Sequence, residues 1–462
     1  MASPSSATIA ARLDRLPSSS YVRRLIILIS LGGWFEFYDL FFTAAVGTGL
    51  VKAGIFKPPG PNIFEINSLA SFIAALFTGL FIGTIGFSWL SDRLGRRSIF
   101  TFSLLWYCIG SFVMAFQSTA LGVDLWRMIA CIGLGVELVN VDAYISELVP
   151  KEQRGPAFAF NQMVMYTAVP TIALLAWAMA PPFTFLGLEG WRWVVIIGSV
   201  GAIVIWWIRL GLPESPRWLA QHGRMDEAER LTAELERRAE IESGRPLPEP
   251  QLVEGEAETK KGAWIEMWSP LYRGRTIMLV VFNLVQTIGY YGFQAWVPQF
   301  LISQGIEVTR SLEYTFIIAI ANPVGPLVGV WFADRFERKW QIAWAAIGIA
   351  VFGLLFSQQR GEAGLIICGL LITLSANWLS FSFHAYQAEL YPTRIRAQAV
   401  GFVYSWSRFS TIFSGYVIQF FLAHYGTTGV FSVIAGAMVV VFIVVGGFGP
   451  AVTRRRLEAI AS

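Results

Sequence analysis

Ser88-Trp-Leu-Ser-Asp92-Arg93-Leu94-Gly95-Arg96-Arg97 decides the architecture, because its charges recur 242 residues further along the chain. Asp92-Arg93 returns as Asp334-Arg335, and Arg96-Arg97 as Arg338-Lys339. The same offset carries Tyr144, Glu147, Leu148, Pro150 and Arg154 onto Tyr386, Glu389, Leu390, Pro392 and Arg396. A self-match at one fixed offset is the mark of internal duplication. Six apolar runs lie in each copy, near 24–50, 66–90, 98–117, 122–147, 157–180 and 190–210, then 275–303, 312–333, 340–358, 362–390, 396–422 and 427–450. Runs of about 20 apolar residues are long enough to cross a bilayer. Six is an even number, so both copies enter the membrane in the same direction, as in parallel repeats that rock about a shared centre.

The expected fold is therefore an all-α integral membrane protein, with twelve transmembrane helices in two pseudo-symmetric six-helix bundles. Composition agrees: of 462 residues, 55% are hydrophobic and 14% charged, against about 25% charge in soluble domains. The expected organisation is a tail at 1–23, bundles at 24–210 and 275–450, a central loop at 211–274 and a tail at 451–462. Basic residues are retained on the cytoplasmic side of a membrane. Of the 35, only Lys52, Lys57, Arg192, Arg310 and Arg360 fall in the connections opposite the termini, which places both termini in the cytoplasm. The first residues lack the apolar stretch of a signal peptide and read as a soluble tail. In the central loop, Asp226, Arg230, Glu234 and Arg238 alternate in sign at four-residue spacing. Short surface helices are expected there, followed by an irregular, solvated tether.

Lipid and small solutes are the expected partners, since a net charge of +4 gives no reason to invoke nucleic acid. Cys108, Cys131 and Cys368 sit inside apolar runs without metal-ligand spacing, so neither disulfide nor metal is expected. No phosphate-binding loop and no nucleophile–base constellation stands out. An enzyme is not expected, and no cofactor beyond a coupling proton.

Ionisable groups inside a membrane are costly and mark functional sites. Glu36 and Asp39 lie three apart in the first helix, with Arg127 and Glu137 in the fourth; their counterparts at the repeat offset are uncharged. Burial raises a carboxylate's pKa and a nearby arginine lowers it. The two together suit proton coupling, with Asp39 as the carrier, Arg127 as its partner and Glu36 or Glu137 as modulators. A buried ion pair that never titrates is the plain alternative. In the second half, Gln286, Tyr290, Tyr291 and Gln294 in helix seven, Asn322 in helix eight, Asn377 and Trp378 in helix ten, and Tyr404 and Trp406 in helix eleven offer hydrogen bonds and stacking surfaces to a solute. Gly289 and Gly292 are expected to weaken regular helix there. Arg408, deep in helix eleven, needs an anion, either a substrate carboxylate or a protein acid such as Glu389. His384 and Asp142 are weaker candidates. The duplicated charges Asp92, Arg93, Arg96, Arg97, Glu147, Arg154, Asp334, Arg335, Glu389 and Arg396 read as a conformational latch that pairs across the inner face in one orientation.

The opening stretch resembles the loop between helices two and three of the major facilitator superfamily, with Ser88 at its usual leading glycine. Arg127-Met-Ile-Ala-Cys-Ile-Gly133-Leu-Gly135 with Ser146-Glu147-Leu-Val-Pro150, and Pro213-Glu214-Ser215-Pro216-Arg217-Trp218-Leu219, are similar to segments of its sugar-porter-like members. In the second-half loop Val330 and Glu337 replace common glycines. Glu36-Phe-Tyr-Asp39 resembles bacterial metabolite:proton and aromatic-acid symporters, which implies pairing of Asp39 with Arg127. Arg408 sits where organic-anion-carrying relatives often have arginine. The resemblance implies a secondary transporter of the bacterial inner membrane, expected to carry a small carboxylate with protons by alternating access and to work as a monomer. A sugar or polyol carrier is the alternative within transport; a non-transporting sensor is one outside it.

Overall fold

The computed structural model describes residues 6–17, 19–150, 153–250, 264–332, 336–391 and 393–452. In chain order the helices are α1 (Ser6–Asp14), α2 (Ser20–Lys52), α3 (Leu69–Leu94), α4 (Arg96–Met114), α5 (Ala120–Leu148), α6 (Arg154–Tyr166), α7 (Ala168–Ala178), α8 (Gly190–Arg209), α9 (Pro216–Gln221), α10 (Met225–Ser243), α11 (Arg273–Gln294), α12 (Val297–Ser303), α13 (Val308–Ala319), α14 (Ala321–Phe332), α15 (Arg338–Gln358), α16 (Glu362–Glu389) and α17 (Thr393–Phe448). A small hairpin pairs Thr184–Phe185 with Leu188–Glu189.

Among the described residues, nine stretches are long and apolar enough to cross a membrane. One of them, Gln398–Phe448, holds 51 residues, about 76 Å of helix against about 30 Å of hydrocarbon. It is two crossings, divided where Gly426 takes φ 62° and ψ −166°, a conformation that favours glycine. With α5 and the α13–α14 pair, the set reaches twelve crossings. Phe102, Trp106, Ile109 and Phe112 are exposed along one face of α4, a spacing that suits lipid contact.

Three crossings are broken where the apolar pattern runs on. The breaks fall at Thr167, at Ala295–Trp296 and at Ile320, each about three residues ahead of Pro170, Pro298 or Pro323. A proline ring clashes with the carbonyl one turn earlier and supplies no N–H. The expected weakening at Gly289 and Gly292 is corrected by the same observation: α11 continues to Gln294. Their missing side chains serve close packing instead, since a Cβ on either would stand 2.6 Å from Met438 or 2.8 Å from Ile418.

Glycines also let α3 and α5 touch backbone to backbone. A Cβ on Gly83 would stand 2.1 Å from the Ile132 carbonyl oxygen, and one on Gly135 2.5 Å from that of Leu80. Small residues at such crossings are how membrane helices approach closely. Gly83→Val is expected to cost about 1 to 3 kcal/mol through overpacking, read as a lowered unfolding midpoint of the detergent-solubilised protein.

The duplication is visible in three dimensions. Arg154 Nε donates to the Val149 carbonyl at 3.0 Å, and Arg396 Nε to that of Tyr391 at 3.2 Å, both donor and acceptor shifted by the repeat offset. Tyr144 donates to the Pro213 carbonyl and Tyr386 to the Pro450 carbonyl, in each copy just beyond the last helix.

The amino-terminal segment, expected as a soluble tail, forms a helix that packs on α9 and α10, which lie where short surface helices were expected in the central loop. Ile9, Leu13 and Leu16 pack with Trp218, Leu219, Ala228 and Leu235 of α9 and α10. Arg12 and Arg15 each place Nη2 2.5 Å from Glu236, and Asp14 Oδ1 takes Arg154 at 2.9 Å and Arg217 at 2.7 Å. Three apolar residues at helical spacing gave this short helix a face to bury, and the acids of α10 supplied its counter-charges. The loop's 251–263 stretch lies outside the described residues.

Burial pushes the Glu236 carboxyl up, but the hydrogen bonds from Arg12 and Arg15 outweigh it and hold it below its ordinary value. A depressed carboxylate contributes stability above its unfolded pKa that is lost as pH falls through the folded one. Hydrogen exchange across 6–14 is therefore expected to stay slow at neutral pH and to speed up only below the ordinary carboxylate range. Arg12→Ala removes charged hydrogen bonds of about 1.5 to 3 kcal/mol and should speed that exchange at every pH above the transition.

Candidate transport site

α2 and α5 build the first part of the site. Arg127 and Glu36 are fully buried and Asp39 is 4% exposed. Arg127 Nη1 donates to Asp39 Oδ2 at 2.8 Å, while Nη2 donates to the Asp39 carbonyl at 2.6 Å and to Thr43 Oγ1 at 3.1 Å. Ser111 of α4 donates to Asp39 Oδ1 at 2.7 Å. The Phe42 ring covers the guanidinium at 4.2 Å, and Arg127 Nε is buried without a hydrogen-bond partner. The pair expected from sequence is thus assembled. Glu137 is buried and accepts from Ser103 at 3.4 Å; Glu36 lies one turn from Asp39 along α2. The described hydrogen bonds of Arg127 go to Asp39 and Thr43.

A narrow cavity separates this pair from the second half. Thr43 and Ala44 of α2 and Phe77 of α3 form one wall, and Tyr291 and Gln294 of α11 the other. Phe77 meets the Tyr291 ring edge-on at 4.7 Å.

Beyond this cavity, between the two halves, is a ring of tyrosines. The Tyr166 and Tyr290 hydroxyls are 3.1 Å apart, and Tyr166 also lies beside Ser380. Tyr291 meets Tyr290 at 5.0 Å. Arg408, 9% exposed, rests on the Tyr404 ring at 5.0 Å and beside the Tyr291 hydroxyl. Its Nε is buried with no partner, and among the described residues no carboxylate pairs with it. Glu389, the protein acid considered for it, takes Arg338 at 3.3 Å instead.

The amides are arranged differently. Gln294 and Asn377 both donate to Asn322 Oδ1 at 3.2 Å, and Asn322 donates to the Ala319 carbonyl at 3.1 Å. They tie α11, α14 and α16 together. Gln286 is buried in α11, and Trp378 packs against the main core. His384 stands against Tyr404, ring centroids 5.4 Å apart.

Sequence reasoning missed Tyr166, Thr43 and Ser111. Tyr166 is the repeat counterpart of Arg408, so the offset that found the latch also pointed to it. Thr43 follows Asp39 by one helical turn. Ser111 left no signal, being one small residue in an apolar run.

The latch is described only in part. Asp92, Arg96, Asp334, Arg335 and Asp142 lie outside the described side chains. The described contacts join elements within one half: the Arg97 N–H to Glu214 at 3.0 Å, Arg217 to the Glu147 carbonyl at 3.1 Å, Arg154 to Asp14, Arg338 to Glu389, and Arg396 to Tyr391; Arg93 is exposed. Described pairing across the halves is found at the centre, where Tyr166 meets Tyr290 and Phe77 meets Tyr291, and at the other end of the molecule. There Gln419 Oε1 accepts from the Ala70 N–H at 3.4 Å, Phe64 meets Tyr416 at 5.4 Å, and Trp177 stacks on Phe316 at 6.0 Å. These contacts close the halves at that end.

A family model described as Sugar (and other) transporter matches residues 25–462. The chain is 30% identical over 446 residues to the putative metabolite transport protein YyaJ of Bacillus subtilis, covering 96% of this chain and 95% of that one. It is 27% identical to the niacin transporter NiaP of Acinetobacter baylyi, covering 98% and 99%. In structure it is similar to the partially occluded inward open conformation of the xylose transporter XylE from E. coli, with a TM-score of 0.74 at 18% identity over 95% of this chain and all of that one. These likenesses are to transporters rather than enzymes, and they span the twelve crossings, the duplicated charges and the central cavity alike. The chain belongs to the sugar (and other) transporter family, as a multi-pass membrane transporter of the major facilitator fold.

Proposed function

We propose that this transporter is a proton-coupled symporter of a small organic carboxylate. The observation that carries the reading is Arg408, a buried cation without an acidic partner among the described residues, set in a ring of tyrosines. A guanidinium removed from water is costly unless an anion meets it, and its planar fork suits a carboxylate. The relative named as a niacin transporter carries a compound of that class. Three of the four amides that a sugar could use, Gln294, Asn322 and Asn377, bond to one another.

Asp39 is the proton carrier in this reading. Ionised, it holds Arg127 through Oδ2; protonated, it loses the charge attraction while Arg127 keeps Thr43 and the Asp39 carbonyl. Thr43 lines the cavity opposite Tyr291 and Gln294, which puts the state of the pair within reach of an occupied second half. A change that differs between orientations shifts their balance. With the basic, terminus-bearing end in the cytoplasm, the closed end faces outward and the described arrangement faces inward. The working unit is the monomer, and no cofactor other than the proton takes part.

The test is solute-induced proton movement in proteoliposomes, with aromatic and aliphatic carboxylates beside sugars. Proton uptake with a carboxylate supports the reading. Sugar flux without proton movement overturns it.

A further inference from the structure

The Tyr404 ring carries a second polar group besides Arg408. His384 lies on α16 with its ring centroid 5.4 Å from that of Tyr404, edge to face, while Arg408 rests on the same ring at 5.0 Å. The imidazole is exposed although Tyr404 and Phe383 flank it. Its Nδ1 is 2.8 Å from the Ser380 carbonyl oxygen. A carbonyl only accepts, so Nδ1 carries the hydrogen, and in the neutral ring Nε2 is left as an acceptor. The two ring nitrogens diverge, which turns Nε2 away from the helix backbone. The site therefore offers a donor fork for an anion at Arg408 and a fixed acceptor at His384, with tyrosine faces between them.

We propose that His384 is a specificity-determining residue: its Nε2 accepts a hydrogen bond from a hydroxyl or N–H of a substrate whose carboxylate Arg408 holds. The inference rests on the carboxylate reading above. It narrows the substrate class to carboxylates that carry a donor, favouring a hydroxylated aromatic acid over the same ring without a hydroxyl. A pyridine carboxylate presents an acceptor to an acceptor and is disfavoured. A polar group left facing a cavity rejects a ligand that cannot satisfy it more sharply than an apolar wall does.

The test compares competition by the three hydroxybenzoate isomers, benzoate and nicotinate in purified protein at about pH 8, where an ordinary imidazole is neutral. At least one hydroxybenzoate should bind about 10-fold more tightly than benzoate or nicotinate, the size of one hydrogen bond. His384→Phe should abolish that ratio by weakening the hydroxylated acid about 10-fold while leaving benzoate within about twofold. His384→Gln, whose Oε1 stands near the place of Nε2, should restore part of it. Equal binding of all three classes by the unaltered protein, or a ratio that survives His384→Phe, overturns the assignment and leaves the carboxylate reading standing. If no carboxylate competes and Arg408→Ala changes nothing, that underlying reading fails instead. Unfolding midpoints of both variants confirm that the folded protein is being compared.

Discussion

Arg408→Ala is expected to raise the KM for the transported carboxylate by about 30-fold or more, since truncating one side of a buried charge pair costs about 2 to 5 kcal/mol. The same change should leave the unfolding midpoint unaltered or raise it. Removing a cation that has no acidic partner among the described residues relieves a desolvation cost in the empty protein, whereas removing half of a protein ion pair would destabilise it. Arg408→Lys keeps the charge but loses the fork, and should fall between, at about 10-fold in KM. The measurement is uptake against substrate concentration in proteoliposomes, with melting followed in detergent. A large loss of stability without a change in KM would show that Arg408 serves the scaffold.

Asp39→Asn is expected to abolish uphill accumulation driven by a proton gradient while sparing exchange of labelled for unlabelled substrate. Asparagine keeps one acceptor oxygen for Arg127 and can donate its amide N–H to the Ser111 hydroxyl, but it cannot carry the proton, so the two half-reactions of transport separate. The accumulation ratio should fall to about one, the value for a carrier without coupling. Stability should fall too. Arg127 is fully buried and its charge is met by Asp39, so losing the anion costs about 3 to 5 kcal/mol. Combining Asp39→Asn with Arg127→Leu removes the stranded cation and should recover part of that loss. Such a non-additive cycle is the signature of a direct pair. Accumulation that persists in Asp39→Asn would move the proton to Glu36 or Glu137.

The twelve crossings were legible because lipid forces each of them to be a long apolar helix, and the duplication because matched charges sit at the ends of those helices. The Asp39–Arg127 pair was legible for a related reason: a charge in a membrane must find a partner, and the first half offers few. Other features obey rules that a linear pattern carries less visibly. The breaks at Thr167, Ala295–Trp296 and Ile320 follow from single prolines inside runs whose hydropathy does not change. Tyr166 joins the site through a hydroxyl that hydropathy cannot separate from any other tyrosine. The docking of α1 depends on acids more than two hundred residues away, and only the spacing of Ile9, Leu13 and Leu16 hinted at a buried face.

That docking also orders the protein's birth. Arg12 and Glu236 are 224 residues apart, which at about 5 to 20 residues per second separates their synthesis by about 10 to 45 seconds. During that interval the ribosome delivers the whole first bundle, up to Arg209 of α8, before any of α10 exists. The α1 docking is thus among the last contacts formed in its half, and it can close only over six crossings already in the membrane.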